Sequence, residues 1–345
     1  MRQNFKIGAE EIAPGQHKLV DLPVAKLANH TPVFLPVHVF HGKEDGPTLF
    51  VSAAVHGDEV MGVEIIQRIM KTEGLQELCG TLLCIPIVNA YGFISHTRYL
   101  PDRRDLNRCF PGKPQGALAE QLAHIFMTEI VSKSDIGIDL HTAAVHRTNL
   151  PQIRSHFAHD NTLELAKVFG APVMLESGLR PGSLREAAFQ VGVEVLVFEA
   201  GEALRLDELS VRSGTLGVLR VMNELKMLPE IEIPSSDILP VLSRSSKWVR
   251  AGEGGLLRAN KASGDSVVKG EVLATIVNPY EDIVTEVTSV TDGLIIGRTK
   301  LAVVNRGDAL FHVARVAKPE LAEQKVADIA DELDHDPIFD EDEII

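Results

Sequence analysis

The sequence predicts an α/β protein with a mixed, mostly parallel sheet sandwiched by helices, followed by a small C-terminal all-β sandwich domain. Three observations support this prediction. Short apolar segments rich in β-branched residues recur through the first 230 residues, and helical patterns lie between several of them. Residues 247–314 are instead rich in Gly, Val and Thr and have no long helical pattern.

The predicted strands are short and apolar throughout, as strands buried on both faces of a sheet should be. They are PVFLPVHVF (32–40), TLFVSAAV (48–55), TLLCIPIV (81–88), DIGIDL (135–140) and VEVLVF (193–198). Helices are predicted over 59–74, which ends at a Gly, and over 116–133, where apolar residues recur at intervals of three and four. Strands that alternate with helices favour a largely parallel sheet covered on both faces.

Changes in composition predict the domain organisation. An α/β domain is expected over 1–230, and the prolines and Ser pair of residues 228–245 predict a linker, set at 231–246. A β-rich, barrel-sandwich-like domain follows over 247–317. Within it the segments that begin at Gly255 and Gly293 echo each other, which predicts two similar halves. Residues 318–345 form an acidic tail that we expect to be solvated.

The totals exclude several classes of protein. The chain has 345 residues and a formal net charge of −14, so we expect neither a nucleic-acid partner nor an anionic membrane surface. No uncharged apolar run reaches the roughly 18 residues that a membrane helix needs, and the N-terminus has no apolar signal-peptide core. Three cysteines without a CxxC pair predict a reducing compartment, and we expect a cytoplasmic location.

Histidines and acids stand where two predicted strands end. FVSAAVHGDEV (50–60) places His56 and Glu59 three residues apart across a Gly-containing turn, and DIGIDLHTA places His141 at the end of another strand. Sites in open α/β sheets form at the carboxyl ends of strands, and both residue types are zinc ligands. Asp139 leaves the same strand face as His141 and could hold the ring of a ligating His. A structural Asp139–His141 pair is the alternative.

Two further segments carry candidate chemistry. VLVFEAGE presents Glu199 at a third strand end, where a carboxylate could move protons beside a metal, and Glu202 is its nearest rival. TRYLPDRRDLNRCFPG (97–112) holds four arginines, an Asn and a Pro-Gly turn. Arginine forks bind carboxylates in bidentate fashion, so this loop suits an acidic substrate. The alternatives are that Glu199 is a helix N-terminal acid or a surface salt-bridge partner, and that the arginine-rich loop is solvated.

The ordered set HGDE, DLNRCFPG, DLHT and FEAGE resembles the succinylglutamate desuccinylase/aspartoacylase family, relatives of the zinc carboxypeptidases. The resemblance covers nearly the whole chain and implies one zinc ion in a carboxypeptidase-like catalytic domain. The implied roles are metal ligation by His56, Glu59 and His141, general base and acid catalysis by Glu199, and substrate binding by Arg98, Asn107, Arg108 and Arg185.

The resemblance implies a hydrolase that deacylates a small N-acyl amino acid or a related compound. A metallocarboxypeptidase that acts on a short peptide or conjugate is the alternative within enzymes, and a non-catalytic small-molecule-binding or carrier protein is the alternative from another class. The β-rich domain lacks a modifiable Lys motif at a hairpin tip, which argues against a carrier role. The resemblance implies that this domain is a cap that shapes access to the zinc site. Tyr280 could reach that site or be an ordinary exposed turn residue. Whether the chain forms a homo-oligomer stays open.

Overall fold

The computed structural model describes residues 2–26, 28–229, 233 and 238–334. The strands up to the end of the central sheet are β1 (Phe5–Ile7), β2 (Glu10–Ile12), β3 (Gln16–Lys26), β4 (Pro32–His41), β5 (Glu44–Ala53), β6 (Cys79–Ile85), β7 (Ile136–Ala143), β8 (Arg147–Ser155), β9 (Val173–Glu176) and β10 (Glu194–Glu202). The helices are α1 (Met61–Lys71), α2 (Ala90–Ser95), α3 (Leu118–Glu129), α4 (Asp160–Phe169), α5 (Leu184–Gln190), α6 (Glu208–Glu224) and α7 (Pro319–Asp334).

The remaining strands belong to the C-terminal part of the chain. They are β11 (Val241–Ser243), β12 (Ser246–Arg250), β13 (Gly255–Ala259), β14 (Ser266–Val267), β15 (Val272–Val277), β16 (Val284–Thr288), β17 (Gly293–Thr299), β18 (Val303–Val304) and β19 (Ala309–Ala314). A mixed sheet of 13 strands runs through the molecule, with the order β12-β19-β17-β8-β10-β7-β5-β6-β4-β3 along its main path.

The centre of this sheet confirms the predicted fold class. Strands β10, β7, β5 and β6 are parallel neighbours, and β4 and β3 add an antiparallel edge. The strands predicted near 32–40, 48–55, 81–88, 135–140 and 193–198 are all present as β4, β5, β6, β7 and β10. Their carboxyl ends meet at one edge of the sheet because parallel strands share a direction.

Helices cover both faces of the sheet, which explains why β5 is apolar at the successive positions 49–51. Leu49 and Val51 pack into the core beneath α1, α4 and α6, whereas Phe50 between them packs into the core beneath α3 and α5. Successive strand side chains point to opposite faces, so a strand between two helical layers needs apolar residues at every position.

The C-terminal strands form the expected sandwich, but its sheet is continuous with the central one. The sheet β16-β15-β13-β18 packs against β12, β19 and β17 around Leu273, Ile295 and Phe311. The predicted echo is present: Gly255 begins β13 and Gly293 begins β17, and the turns before β15 and β19 both hold a Gly with positive φ. Strand β17 also pairs antiparallel with β8, which extends the main sheet into this part of the chain.

The predicted linker and the predicted acidic tail can each be compared with the structure. The linker set at 231–246 lies partly outside the described residues, and β11 and the first residue of β12 fall within it. The solvated tail is a wrong prediction for residues 319–334, which form α7 and bury Val326, Ile329 and Leu333. Apolar residues at helical spacing within an acidic sequence give this helix a buried stripe. Residues 335–345 lie outside the described residues, and the domain limits themselves stay a prediction.

All three cysteines, Cys79, Cys84 and Cys109, are free thiols. Burial raises the pKa of the Cys84 thiol, which lies within the central sheet. No helix in the described part of the chain is long and apolar enough to span a membrane.

Candidate active site

Three adjacent strands bring the predicted site residues to one edge of the sheet. His56 and Glu59 follow β5, His141 lies in β7, and Glu199 lies in β10. The order β10-β7-β5 makes these strands direct neighbours, and Glu199 is the register partner of His141. The short strands thus act as rigid supports for side chains that are far apart in the sequence.

His56, Glu59 and His141 form a buried cluster whose ligand atoms all lie within 4.8 Å of one another. Nδ1 of His56 is 2.7 Å from one carboxylate oxygen of Glu59, and Nδ1 of His141 is 2.7 Å from the other. The backbone N–H of Thr142 also donates to Glu59, at 3.0 Å. A second group of three or more such residues suited to a metal does not occur within the described ranges.

Each imidazole of the cluster is held from behind by a different carboxylate. Nε2 of His141 is 2.7 Å from Asp139, which also accepts a hydrogen bond from the hydroxyl of Ser52 at 2.8 Å. Nε2 of His56 is 3.1 Å from Asp105. A carboxylate on Nε2 fixes the proton there and leaves Nδ1 as the ligand nitrogen, which is the usual outer arrangement of a metal-binding His. The donor set therefore fits a divalent cation such as zinc.

The opposite charges of the imidazoles and carboxylates in the cluster stabilise one another. Burial lowers the pKa of both imidazoles, but the neighbouring carboxylates outweigh it and raise the pKa of His56 and, further, that of His141. Burial raises the pKa of Glu59, but the two histidines outweigh it and hold this pKa well below its usual range. Burial also raises the pKa of Asp105, but His56 and Arg98 outweigh it and hold this pKa below its usual range. The site is thus built to hold anionic carboxylates beside cations.

Glu199 faces the same cavity and is held by two side chains of β8. Asn149 donates to one of its oxygens at 2.8 Å, and Arg154 lies 3.3 Å from the other. Its rival Glu202 points elsewhere, since it pairs with Lys300 at 2.8 Å and accepts the backbone N–H of His146 at 3.0 Å. Glu202 does not line the cavity, so the geometry favours Glu199 as the proton-transfer group.

The arginine-rich loop 97–112 lines the cavity, but its arginines differ in their partners. Arg98 contacts two acids of the cluster, Asp105 at 2.9 Å and Glu59 at 3.3 Å. The side-chain carbonyl of Asn107 accepts the backbone N–H of Leu184 at 2.9 Å and so ties the loop to the start of α5. Arg108 donates to the carbonyl of Asn107 and has no acid partner in the described part of the chain. Arg98 and Arg108 are the loop arginines that line the cavity, and Arg108 is the one of the two without an ion pair, so it is the more available to a ligand.

The cavity has a volume of about 420 Å³, and its lining includes the nine side chains predicted to bind metal or substrate, to orient a ligand or to catalyse. Arg185 lies on its wall, where burial and the nearby Arg154 lower its pKa to about 10. Its guanidinium donates to the carbonyl of Gly178 at 2.7 Å. Six arginines line the cavity in a chain whose net charge is −14: Arg98, Arg108, Arg147, Arg154, Arg180 and Arg185. The site itself suits an anion.

Several residues of the site were not predicted from the sequence. Asp105 stood within the arginine-rich loop without a role, Asn149 and Arg154 come from β8, and Trp248 comes from β12. The motif around Asp105 could have drawn attention to it, but nothing local to β8 or β12 indicates which strands they join. Tyr280 is 94% exposed and does not line the cavity, as an ordinary turn residue would not.

Gly57 is required by close packing. A Cβ at this position would overlap the backbone of Gly92 and Phe93 in α2, where no side chain can move aside. We expect Gly57→Ala to reduce the free energy of unfolding by about 1–3 kcal/mol, measured by urea denaturation. Gly252→Ala is the matched control, because a Cβ there meets no atom within 4 Å, and it should change stability by less than about 1 kcal/mol. Equal stability of the two variants would contradict this account.

The fold and site together define an α/β protein with a candidate metallohydrolase centre at the carboxyl ends of parallel strands. The chain belongs to the succinylglutamate desuccinylase/aspartoacylase family, whose catalytic domain matches residues 45–225, more than half of its 345 residues. A curated relative, the N-alpha-acetyl-L-2,4-diaminobutyric acid deacetylase of Halomonas elongata, is 29% identical over 329 residues, which cover 88% of this chain and 92% of that protein.

Solved structures show the same fold over most of the chain. A succinylglutamate desuccinylase/aspartoacylase from Rhodobacter sphaeroides superposes with a TM-score of 0.77 and 27% identity, covering 87% of this chain and 95% of that one. The product-bound ectoine utilization protein EutE (DoeB) from Ruegeria pomeroyi gives a TM-score of 0.78 at 24% identity, with the same coverage of 87% and 95%. Both relatives extend well beyond the matched catalytic domain, into the C-terminal strands.

Proposed function

We propose that this protein is a zinc-dependent deacylase that hydrolyses the amide bond of a small N-acyl amino acid. One observation carries the proposal: three neighbouring strand ends bring a His-Glu-His cluster and Glu199 into a single arginine-lined cavity. Membership of the family supports it, as does the similarity to a deacetylase of an N-acetylated diamino acid.

In this proposal His56, Glu59 and His141 hold one zinc ion per chain. The bound cation would supply a Lewis acid for the amide carbonyl and a water of lowered pKa. Asp105 and Asp139 keep Nδ1 of each imidazole directed at the ion by holding Nε2. Arg98 was predicted to bind the substrate, but its guanidinium pairs with Asp105 at 2.9 Å and Glu59 at 3.3 Å. We therefore assign it the positioning of these carboxylates instead.

Glu199 is the proposed general base and then general acid. Its carboxylate takes a proton from the attacking water and later gives it to the leaving nitrogen of the amino acid. Asn149 and Arg154 each contact one oxygen of the carboxylate and so fix its orientation in the cavity. Glu199 is the register partner of His141, so proton transfer occurs beside the proposed cation site.

The arginines are the proposed anion-binding groups. Arg108 and Arg185 would bind the carboxylate of the amino acid half, and an arginine would share the oxyanion charge that develops on the amide oxygen. Asn107 holds the loop that carries Arg108 against α5. A cavity of about 420 Å³ lies at the small end of ligand pockets, which favours an N-acyl amino acid over a peptide.

A substrate screen tests the proposed function. The zinc-loaded protein is assayed by amine release with N-acetyl and N-succinyl amino acids and, in parallel, with short peptides that have a free C-terminus. We expect hydrolysis of N-acyl amino acids. Activity on peptides alone would establish the carboxypeptidase alternative instead. Binding of these compounds without any hydrolysis would favour a non-catalytic binding protein.

The proposed role of Asp105 gives a separate prediction. Asp105→Asn should weaken zinc binding by about 10- to 100-fold, because Nε2 of His56 loses its carboxylate. Competition with a chromogenic chelator measures the affinity, and saturating zinc should restore much of the activity. Asp102→Asn in the same loop is the control, since Asp102 contacts neither histidine of the cluster. Unchanged zinc affinity in Asp105→Asn would exclude this role.

A further inference from the structure

One part of the cavity wall is formed by two residues that the proposed mechanism does not use, Arg147 at the start of β8 and Trp248 in β12. The guanidinium carbon of Arg147 lies 5.3 Å from the centre of the Trp248 ring system. Trp is the aromatic residue that binds cations best. A guanidinium stacked on an aromatic face keeps planar N–H groups with which it can bind a carboxylate.

The Trp248 side chain is a rigid platform. Trp248 is the register partner of His312 on β19, and the two rings stack at 4.5 Å with an interplanar angle of 7°. Nε2 of His312 is 2.8 Å from the hydroxyl of Ser246, which fixes the imidazole beneath the indole. The C-terminal β-rich part of the chain thus contributes a preorganised surface to the cavity.

Arg147 has no acid partner among the residues that the structure describes. Two acids of the neighbouring strand β10 are already paired: Glu202 with Lys300, and Glu199 with Arg154. Arg147 is only partly exposed. Its charge is therefore held at the cavity wall without a neutralising group from the described chain, and an anionic ligand would supply one.

Arg147 stands at the opposite end of β8 from Arg154, which is paired with Glu199. Arg154 lies seven residues further along β8, which corresponds to roughly 23 Å of extended strand. Arg185 and Arg180 belong with Arg154, because the charges of Arg154 and Arg180 both lower the pKa of Arg185 after the effect of burial. This cluster adjoins the wall formed by Arg147 and Trp248, because burial and then the charge of Arg154 lower the pKa of His312, whose ring stacks on Trp248.

We propose that Arg147, stacked on Trp248, forms a second carboxylate subsite of this cavity. The proposal rests on the proposed function in one respect, that the cavity binds the substrate. The carboxylate belongs either to the acyl half or to the amino acid half of an N-acyl amino acid, and the chemistry of recognition is the same for both. Arg147 and Trp248 are then specificity-determining residues, and they take no part in bond cleavage.

A binding experiment tests the subsite without any turnover. Trp248 is the sole tryptophan of the chain, so its fluorescence reports directly on this wall. Succinate titrated into the full-length zinc-loaded protein should change the emission, and Arg147→Gln should weaken that binding by about ten- to hundredfold. Lys247→Gln should bind succinate as the native protein does, because Lys247 is exposed and points away from Trp248. An unresponsive native protein, or an Arg147→Gln variant of native affinity, would overturn the proposal.

Kinetics with matched substrates identify which carboxylate binds. KM of Arg147→Gln and of the native protein are compared for the N-succinyl and N-acetyl forms of one amino acid. They are also compared for an N-acyl amino acid with a free α-carboxylate and for the same compound with that carboxylate converted to a carboxamide. The penalty of the variant should disappear when the carboxylate that binds Arg147 is removed. Arg147→Lys, which keeps the charge but lacks the planar fork, should give an intermediate penalty. A penalty that is the same for every substrate would contradict the subsite.

The two experiments separate this inference from the proposed function. If the protein hydrolyses N-acyl amino acids but its affinity for succinate does not depend on Arg147, the subsite is excluded and the proposed function is retained. If succinate binding depends on Arg147 but the protein hydrolyses none of the substrates, the subsite is established and the proposed function is excluded.

Discussion

Replacing Glu199 with Gln is expected to lower kcat by about 10²- to 10⁴-fold, with little change in KM. Gln has the size of Glu but cannot accept the proton of the attacking water. Glu199 lies in register with His141 and contacts Asn149 and Arg154, so the substitution removes one charge from an otherwise intact wall. Steady-state kinetics on the best N-acyl amino acid substrate, with zinc content measured on the same samples, give the result.

Glu202→Gln is the matched control for this experiment. Glu202 stands three residues later on the same strand, but it pairs with Lys300 and does not line the cavity. We expect its kcat to stay within about twofold of the native value, because Glu202 lies outside the cavity and contacts none of the clustered residues. If Glu199→Gln kept native activity with full zinc content, proton transfer would have to be assigned to another group, and the proposed mechanism would be wrong.

The site could be predicted from the sequence because its residues stand at the ends of apolar strands. His56, His141 and Glu199 each follow a run of buried residues, and parallel strands in one sheet bring their carboxyl ends to the same edge. Asp139 could be predicted because side chains along a strand alternate between its two faces, which places Asp139 on the same face as His141. These are local rules, and they needed no knowledge of the strand order.

Residues whose roles depend on long-range pairing could not be predicted in this way. Asn149 and Arg154 reach Glu199 because β8 lies antiparallel beside β10, and Trp248 reaches the cavity because β17 pairs with β8. Neither pairing leaves a local pattern in the sequence. The ion pairs of Arg98 are similar, since composition marks an arginine-rich loop but does not say which arginines meet acids of the same protein.

The C-terminal helix shows a different limit. Residues 319–334 are rich in charge and were interpreted as the start of a solvated tail, yet α7 packs Ile329 and Leu333 against Leu216 of α6. Four apolar residues at helical spacing are enough to bury one stripe of a helix whose other faces stay charged. The mean charge of the segment gives no sign of such a stripe, whereas the spacing of its apolar residues indicates it.

Replacing Glu59 with Gln is expected to abolish zinc binding and activity together. Glu59 is the central ligand of the cluster, because its two oxygens lie 2.7 Å from Nδ1 of His56 and of His141. The neutral amide removes the anion that holds both histidines in place, and its NH₂ group would face one of them without being able to bind a cation. Metal analysis after dialysis against trace zinc measures the loss.

Asp58→Asn is the control that makes this test sharp. Asp58 is the adjacent acid in the same turn, it is buried as Glu59 is, and it is not one of the clustered ligands. The two variants remove one carboxylate each from neighbouring positions, so a difference between them isolates ligation from general effects of charge. We expect Asp58→Asn to keep its zinc. If both variants kept zinc, the cluster would not be the metal site, and if Asp58→Asn alone lost it, the ligands of the HGDE turn would have to be reassigned.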